Sequence, residues 1–206
     1  MIPGNPNIYD SRPELVGAFL YPDNIVSTSE LEDYELGGVA IQDPSQGLQV
    51  QVWKCHWEPT TGEVILTPQD AGSPTVLFTQ SDVVELAFTF DQNMRWSTAT
   101  RTSDNVLHHR WYDSLAEAYV TTDYSGVTSA RLTHDDKRNI QVNLGSTDMI
   151  LSYIRAGYVR WRIQRDRYLT EYTHFATPIP AGMRISHFGM SSKNRLQWRI
   201  GVRRIK

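Results

Sequence analysis

The chain has 206 residues and a formal net charge of −3, and its ten Tyr, six Trp and six Phe favour strands. This length suffices for one domain with a sizeable core, and the single cysteine, Cys55, excludes an internal disulfide and is expected in that core. No apolar run reaches the roughly 20 residues that a membrane span needs, and the first residues do not resemble a signal peptide. We therefore expect a soluble all-β domain.

The first strand-like runs lie at residues 39–42, 48–58, 63–67 and 75–79. Turn-forming residues separate them: Asp43-Pro44-Ser45-Gln46-Gly47, Pro59-Thr60-Thr61-Gly62 and Asp70-Ala71-Gly72-Ser73-Pro74. This pattern predicts an antiparallel unit of four strands. Residues 1–36 precede it as an N-terminal extension.

A short signature then recurs along the chain: Phe88-Thr89-Phe90-Asp91, Leu132-Thr133-His134-Asp135 and Arg184-Ile185-Ser186-His187. Equivalent positions are 44 and 53 residues apart. Further strand-like runs follow each copy: residues 95–102, 106–113 and 117–122, then 149–155, 158–166 and 169–175, and finally 196–202. A strand repeat of this length is typical of propeller blades and other β arrays.

Apolar and polar residues alternate within these runs, as in residues 159–165, and this period of two is expected of half-buried strands. Ala156-Gly157 predicts a tight hairpin. Residues 37–206 are thus predicted to form repeated four-stranded antiparallel units, propeller-like, with about 3.5 to 4 blades. The half unit at the end leaves an open edge that must be paired or protected. Residues 15–20 are apolar and are expected to add a strand there; otherwise the edge is available to another subunit or a partner.

Charge is divided unevenly along the chain. Residues 1–126 carry five basic and 18 acidic side chains, whereas residues 127–206 carry 15 basic and five acidic ones. Three interpretations stay open: neutralisation of one half by the other, assembly through complementary surfaces and, least favoured because no known binding module is present, contact with nucleic acid. Candidate interface residues are Arg160, Arg162, Arg199, Arg203, Glu30, Glu32 and Asp33.

Several stretches resemble uncharacterised virion structural proteins of tailed bacteriophages. They include Gly37-Gly38-Val39-Ala40-Ile41-Gln42, Asp135-Asp136-Lys137-Arg138, Asp148-Met149-Ile150-Leu151-Ser152-Tyr153-Ile154-Arg155 and Arg162-Ile163-Gln164-Arg165-Asp166-Arg167-Tyr168. The resemblance covers residues 37–205 and leaves residues 1–36 outside. It implies a structural protein of the tail or adsorption apparatus, located in the virion, present in several copies and in contact with other tail proteins. It implies no catalytic residue and no cofactor.

Large aromatic side chains are the remaining candidates for binding. Packing between units is their ordinary role, but flat rings also bind sugars, and a cell-surface polysaccharide is a candidate partner. The residues are Trp96, Trp111, Tyr112, Tyr124, Trp161 and Tyr168. A carbohydrate-binding module is therefore one alternative to the structural role.

The sequence favours neither a metal site nor catalysis. His108 and His109 are adjacent, so they cannot face the same side of a strand as a zinc pair would. Asp91 and Asp135 end the repeated signature, where a carboxylate commonly accepts N–H groups of the following turn. A propeller glycosidase, the second alternative, requires two carboxylates across a cleft. We expect a non-enzymatic protein without cofactor.

Overall fold

The computed structural model describes residues 34–43, 47–68, 72–91, 95–134, 148–174, 178–192 and 196–204. Within these ranges the regular elements are 14 strands and one 3-10 turn, Gln164–Asp166. The strands form three four-stranded sheets and one two-stranded sheet, all antiparallel and each built from strands consecutive in the chain. The predicted all-β class with repeated four-stranded antiparallel units is therefore confirmed. No helix in the described residues is long and apolar enough to cross a membrane.

Most strand bounds follow the predicted units closely, but β12 covers only Tyr172–Thr173 of the run predicted at residues 169–175. The first sheet contains β1 (Tyr34–Asp43), β2 (Gly47–Glu58), β3 (Glu63–Pro68) and β4 (Thr75–Thr79). The second contains β5 (Val83–Phe90), β6 (Trp96–Thr102), β7 (Val106–Asp113) and β8 (Ala118–Ser125). The third contains β9 (Val127–His134), β10 (Met149–Arg155), β11 (Tyr158–Ile163) and β12 (Tyr172–Thr173). The last pair is β13 (Met183–Ser192) and β14 (Leu196–Arg204).

The sheets stack in sequence order through their first strands and through their faces. β1 contacts β5, β5 contacts β9, and β9 contacts β13. Three apolar clusters fill the spaces between neighbouring sheets. Cys55 and Val64 pack with Phe88 between the first and second sheets. Leu107 packs with Leu151 between the second and third sheets, and the third and last sheets share a cluster of Ile150, Ile154, Val159 and Ile185. Cys55 is fully buried, as predicted.

One turn is repeated in all three four-stranded sheets. The hairpin between the second and third strands carries a residue with positive φ: Gly62 at 74°, Asn105 at 63° and Gly157 at 79°. In each sheet, the carbonyl oxygen of this residue accepts a hydrogen bond from a backbone N–H just after the sheet's last strand. The donors to Gly62, Asn105 and Gly157 are Gln80, Val127 and Ile179, at 2.7, 3.0 and 2.5 Å, respectively. The repeat therefore includes the connections between sheets as well as the strands.

The structure also differs from the predicted bounds. β1 begins at Tyr34, inside the predicted extension, because this end pairs with the long strand β2, where Tyr34 lies opposite His56. β11 ends at Ile163 because Arg167 and Tyr168 both adopt φ of 58° and close the 3-10 turn. The predicted edge strand at residues 15–20 lies outside the described residues, as do Glu30, Glu32, Asp33 and Asp135.

Candidate functional site

A cavity of about 380 Å³ lies between the second and third sheets. It opens at the end of the molecule where β5, β7 and β11 end and where β6 and β10 begin. Its wall is formed by Asp91, Arg95, Trp111, Tyr112, Asp113, Ser114, Leu115, Asp148, Gln164, Arg165 and Arg167. The wall thus combines three carboxylates, three guanidinium groups and two aromatic rings.

Each carboxylate of the cavity is paired with one of its guanidinium groups. The Nε atoms of Arg95, Arg165 and Arg167 donate to Asp91, Asp148 and Asp113 at 2.7, 2.7 and 3.0 Å, respectively. The side chains of Asp91 and Asp113 are 3% and 2% exposed, whereas those of Arg165 and Arg167 are 50% and 48% exposed. The guanidinium groups therefore form the rim, and the carboxylates lie behind them.

Asp113 is a cavity carboxylate whose surroundings favour its charged form. Burial raises its pKa, but the hydrogen bond from Arg167, the N–H of Leu115 and the positive charge of Arg167 outweigh this effect. The resulting pKa lies below the usual value of an aspartic acid. Asp113 is thus unsuited to act as the general acid of a glycosidase, which requires a raised pKa.

Asp91 has the turn role that the sequence predicts. Its Oδ1 accepts the N–H of Arg95 at 2.9 Å while Oδ2 accepts the Arg95 side chain. The guanidinium group of Arg95 in turn lies 4.3 Å from the centre of the Tyr112 ring. This arrangement fixes both Arg95 and Tyr112 at the cavity wall.

An aromatic group continues from the cavity over the second sheet. Tyr112 meets Tyr119 edge to face at 5.4 Å, and Tyr119 stacks on Trp96 with ring centres 4.0 Å apart. Tyr119 is 43% exposed. Trp111, on the same strand as Tyr112, is 4% exposed, and its Nε1 has no hydrogen-bond acceptor among the described residues. The indole N–H of Trp111 is therefore enclosed, and it has no partner in the described part of the chain.

Behind the cavity, Tyr168 anchors the 3-10 turn to the second sheet. Its ring lies edge to face on His109 at 4.4 Å and on Trp111 at 5.0 Å, and it is 2% exposed. Two consecutive residues with positive φ, Arg167 and Tyr168, are strained for side chains of this size. The buried ring and the Arg167–Asp113 ion pair hold this strained turn in place.

His109 and Ser97 form a hydrogen-bonded pair, 3.1 Å between Nε2 and Oγ, but both side chains are fully buried. Burial lowers the pKa of His109 to about 3, so the imidazole is neutral near neutral pH. A nucleophilic serine must reach its substrate, and Ser97 does not. The pair is therefore part of the core. The side chain of His108 points to the opposite face of β7, as the alternation along this strand predicts. Its Nδ1 lies 2.7 Å from Oδ1 of Asp123.

The predicted binding aromatics have different surroundings. Trp96 and Tyr112 belong to the aromatic group beside the cavity, and Trp111 lies in its wall. Tyr124 is 6% exposed and stacks on Tyr153, so the rings of Trp111, Tyr124 and Tyr168 are packed in the interior rather than offered on an open surface. Trp161 lies elsewhere, stacked on Tyr172 with 4.2 Å between ring centres.

The predicted interface arginines are also divided. Arg162 is 12% exposed and donates to the hydroxyl of Tyr153 and to two backbone carbonyl oxygens, so its guanidinium group is engaged within the molecule. Arg160 donates to the hydroxyl of Thr173 and lies over the Tyr158 ring. Arg199 and Arg203 occupy positions on β14, opposite Gly189 and Arg184 of β13.

The sequence analysis selects Asp91 for a turn role, but it selects none of the charged cavity residues for binding. Arg165 and Arg167 belong to the Gln-Arg-Asp-Arg stretch that carries the family resemblance, and Asp91 belongs to the repeated signature. The available signal was their common position just beyond strand ends, where side chains of adjacent hairpins meet. Nothing in the sequence, however, indicates which arginine pairs with which aspartate.

A second buried charged group connects the first strands of three sheets. Glu85 on β5 is 8% exposed and accepts hydrogen bonds from Arg101, Ser129 and Arg131, each at 3.0 Å. The Ser129 hydroxyl oxygen also accepts the N–H of Ile185 on β13 at 3.1 Å. This network is structural, because it joins the second, third and last sheets at their inner strands.

Within the described residues, no group of three or more His, Cys, Asp and Glu side chains is placed to hold a metal ion. Comparison with known proteins gives no family assignment: no protein-family model matches the chain, and no curated protein matches its sequence.

Proposed function

We propose that the chain is a non-enzymatic structural component of a bacteriophage virion, located in the tail or adsorption apparatus, where it joins copies of itself and other tail proteins. The resemblance of residues 37–205 to virion structural proteins suggests this role. The structural observation that supports it is the array of repeated antiparallel sheets in the described part of the chain.

The arrangement of the first strands supports a propeller-like architecture for this array. In a propeller, the first strand of each blade lies beside that of the next, and the chain returns from the outer strand of one blade to the inner strand of the next. Contacts of β1 with β5, β5 with β9 and β9 with β13 fit this pattern, as do the three equivalent turns at Gly62, Asn105 and Gly157. The β13–β14 pair then represents half of a fourth blade.

The edge of β14 is the proposed assembly surface. Among the described residues, β14 pairs with β13 alone, so its other side carries the hydrogen-bonding groups of an open edge. An extended segment can pair with such an edge, and Arg199 and Arg203 on β14 favour an acidic partner. Residues 15–20 are the sequence's candidate for this position within one chain. If they occupied it, the unit would be closed and the chain monomeric.

A structural role also agrees with the chemistry of the described side chains. The cavity carboxylates are paired with arginines, and the hydrogen-bonded Ser97 and His109 are buried. These groups stabilise the packing of sheets rather than provide an acid, a base or an accessible nucleophile.

The proposed role is tested on purified particles of the phage whose genome encodes this chain. An antibody raised against the recombinant protein should label one end of intact particles in immunogold electron microscopy, and quantitative mass spectrometry should find several copies per particle. A particle preparation in which the tail proteins are detected and this chain is absent would contradict the proposal.

A further inference from the structure

We propose that one end of the molecule binds the opposite end of a second copy of the chain. The two surfaces are formed by turns and not by the edge of β14, so this contact is separate from the assembly surface proposed above. It does not depend on the virion role, because both surfaces belong to this chain. Three observations carry it: the direction of the strands, exposed leucines beside arginines at one end, and exposed carboxylates at the other.

The direction of the strands separates the turns into two sets. Neighbouring strands within each sheet are antiparallel, and the connections between sheets are short. β5 begins at Val83 soon after β4 ends at Thr79, and β9 begins at Val127 soon after β8 ends at Ser125. The first strands of the three four-stranded sheets therefore begin at one end, the entry end. The cavity opens at the other end, the cavity end, and a strand of eight residues separates the two by about 25 Å.

The cavity end exposes large apolar side chains. Among the described residues, Leu115 and Leu169 are the most exposed side chains of this kind, at 76% and 75%. The Asp113 carboxylate joins their turns, because it accepts the N–H of Leu115 at 3.0 Å and the side chain of Arg167, two residues before Leu169. Exposed apolar side chains that are grouped in this way are typical of interaction surfaces.

The arginines of the cavity end face outward beside these leucines. The side chains of Arg165 and Arg167 are 50% and 48% exposed, whereas those of their partners Asp148 and Asp113 are 16% and 2% exposed. An incoming carboxylate therefore meets the guanidinium groups before it meets the aspartates. Arg167 donates to Asp113 through Nε and Nη2, and a guanidinium group has five N–H donors, so Arg167 can bind a second carboxylate at the same time.

The entry end carries the complementary charge. Asp82 and Asp104 are exposed in two turns that meet where the N–H of Ser103 donates to Asp82 at 3.3 Å. These two turns contain no lysine or arginine. Val84, which is 49% exposed, adds an apolar side chain at this end. The sequence that precedes β1, which begins at the same end, is acidic as well at residues 30–33.

The two ends fit each other better than either end fits itself. Contact between two entry ends or between two cavity ends would bring like charges together, so the favoured contact joins different surfaces of the two copies. The charged groups orient this contact, and the exposed apolar side chains contribute affinity. A contact this small is weak, with a Kd on the order of 0.1 mM, and it forms where copies are already held close together.

The test places a nitroxide spin label on one copy and measures line broadening in the amide NMR signals of a second, isotope-labelled copy. Ser81 is exposed at the entry end, and Cys55 is fully buried, so S81C allows selective labelling of that end. We expect broadening at Leu115 and Leu169 of the isotope-labelled copy. It should disappear at about 500 mM salt, where the Debye length is only about 4 Å.

T121C provides the control label, because Thr121 is exposed in the middle of β8, away from both sets of turns, and this label should leave those signals unchanged. R165Q in the isotope-labelled copy should weaken the contact about threefold, since it removes an exposed cation. E117Q is its matched control, because it removes an exposed carboxylate from the same end and should not weaken the contact. Both side chains are exposed, so both variants are expected to fold.

The proposal would be overturned by the absence of broadening, by broadening spread evenly over the surface, or by equal effects of R165Q and E117Q. It would also be overturned if the copies did not contact each other and R165Q instead weakened binding to phosphatidylglycerol vesicles, since the cavity end would then face a lipid surface. Immunogold labelling of particles does not depend on this contact, so the virion role and the end-to-end contact can fail separately.

Discussion

At the scale of single residues, we expect the stability of the fold to depend strongly on the buried side chain of Glu85. Its carboxylate is buried between Arg101 and Arg131, which are 15% and 11% exposed. Buried charges are tolerated only when their partners remain, because an unpaired buried charge loses its hydration without compensation. Removing the carboxylate would leave two poorly solvated guanidinium groups facing each other.

We therefore expect Glu85→Gln to lower the free energy of unfolding by about 3 kcal/mol, the usual cost of breaking a buried ion pair. Asp123→Asn is the control, because Asp123 is largely exposed in its pair with His108 and should contribute less than about 1 kcal/mol. Urea denaturation of both variants measures the difference. Equal losses would show that burial of Glu85 has no energetic consequence.

We expect the buried imidazole of His109 to make the stability of the fold depend on pH. Its pKa is about 3 in the folded protein and near 6.5 when unfolded, so between these values the unfolded chain binds a proton that the folded chain does not. The contribution of His109 to the free energy of unfolding is fully present above about pH 6.5, and it is lost as the pH falls from there towards 3. Between pH 7.5 and 4.5 the loss should be about 3 kcal/mol.

The variant His109→Gln isolates this contribution, because other groups that titrate in the same range are unchanged. It should be less stable than the wild type at pH 7.5, since the fit in the core is altered, but should lose about 3 kcal/mol less on acidification. The measurement is urea denaturation of both proteins at the two pH values. Parallel losses would mean that His109 does not couple protonation to unfolding.

At the scale of elements, the repeated turn between the second and third strands is the most informative feature. Glycine occupies it in the first and third sheets, whereas the second sheet has Asn105 with φ of 63°. Asparagine tolerates this conformation better than most residues, and β-branched residues tolerate it poorly. The side chain of Asn105 also accepts a hydrogen bond from Arg101.

Asn105→Gly should therefore change stability by less than about 1 kcal/mol, because glycine adopts positive φ without strain and this relief offsets the lost side-chain bond. Asn105→Val should cost about 2 kcal/mol, since valine is strained at positive φ. Thermal or urea unfolding of the two variants provides the comparison. If glycine and valine were equally disruptive, the side-chain bond rather than the backbone conformation would be the important property of this position.

The strands were predictable because alternation and turn residues are local properties. Residues 63–67 and 75–79 were predicted within one residue of β3 and β4, and Ala156-Gly157 is the tight hairpin between β10 and β11. Tyr34 was missed because its strand conformation comes from pairing with β2. The early end of β11 was missed because arginine and tyrosine do not favour positive φ by themselves; their packing imposes it.

The cavity was less predictable than the strands. Asp113 and Arg167 are 54 residues apart and meet only because the second and third sheets stack. Alternation identifies which face of a strand is buried, but it does not say which sheet covers that face. For this reason Trp111 and Tyr168 could be recognised as important aromatics from sequence, while their burial in one shared cluster could not.

At the scale of the whole molecule, the division of charge coincides with the division into sheets. The change from acidic to basic composition occurs at Gly126, between β8 and β9, so the first two sheets are acidic and the others basic. Two ion pairs, Glu85–Arg131 and Asp113–Arg167, cross this boundary. Part of the opposite charge is therefore neutralised inside the molecule. We propose that the remaining charge, including the arginines in the sequence of β14, steers assembly.

We propose that the chain assembles through the edge of β14 and through these charges. The most direct test is the solution mass of the full chain, measured by light scattering between about 50 and 500 mM salt, over which the Debye length falls several-fold. We predict a defined multiple of 23.6 kDa at low salt that dissociates towards 23.6 kDa at high salt. A mass of 23.6 kDa at every salt concentration would contradict assembly through this edge and would favour a fourth unit closed within one chain.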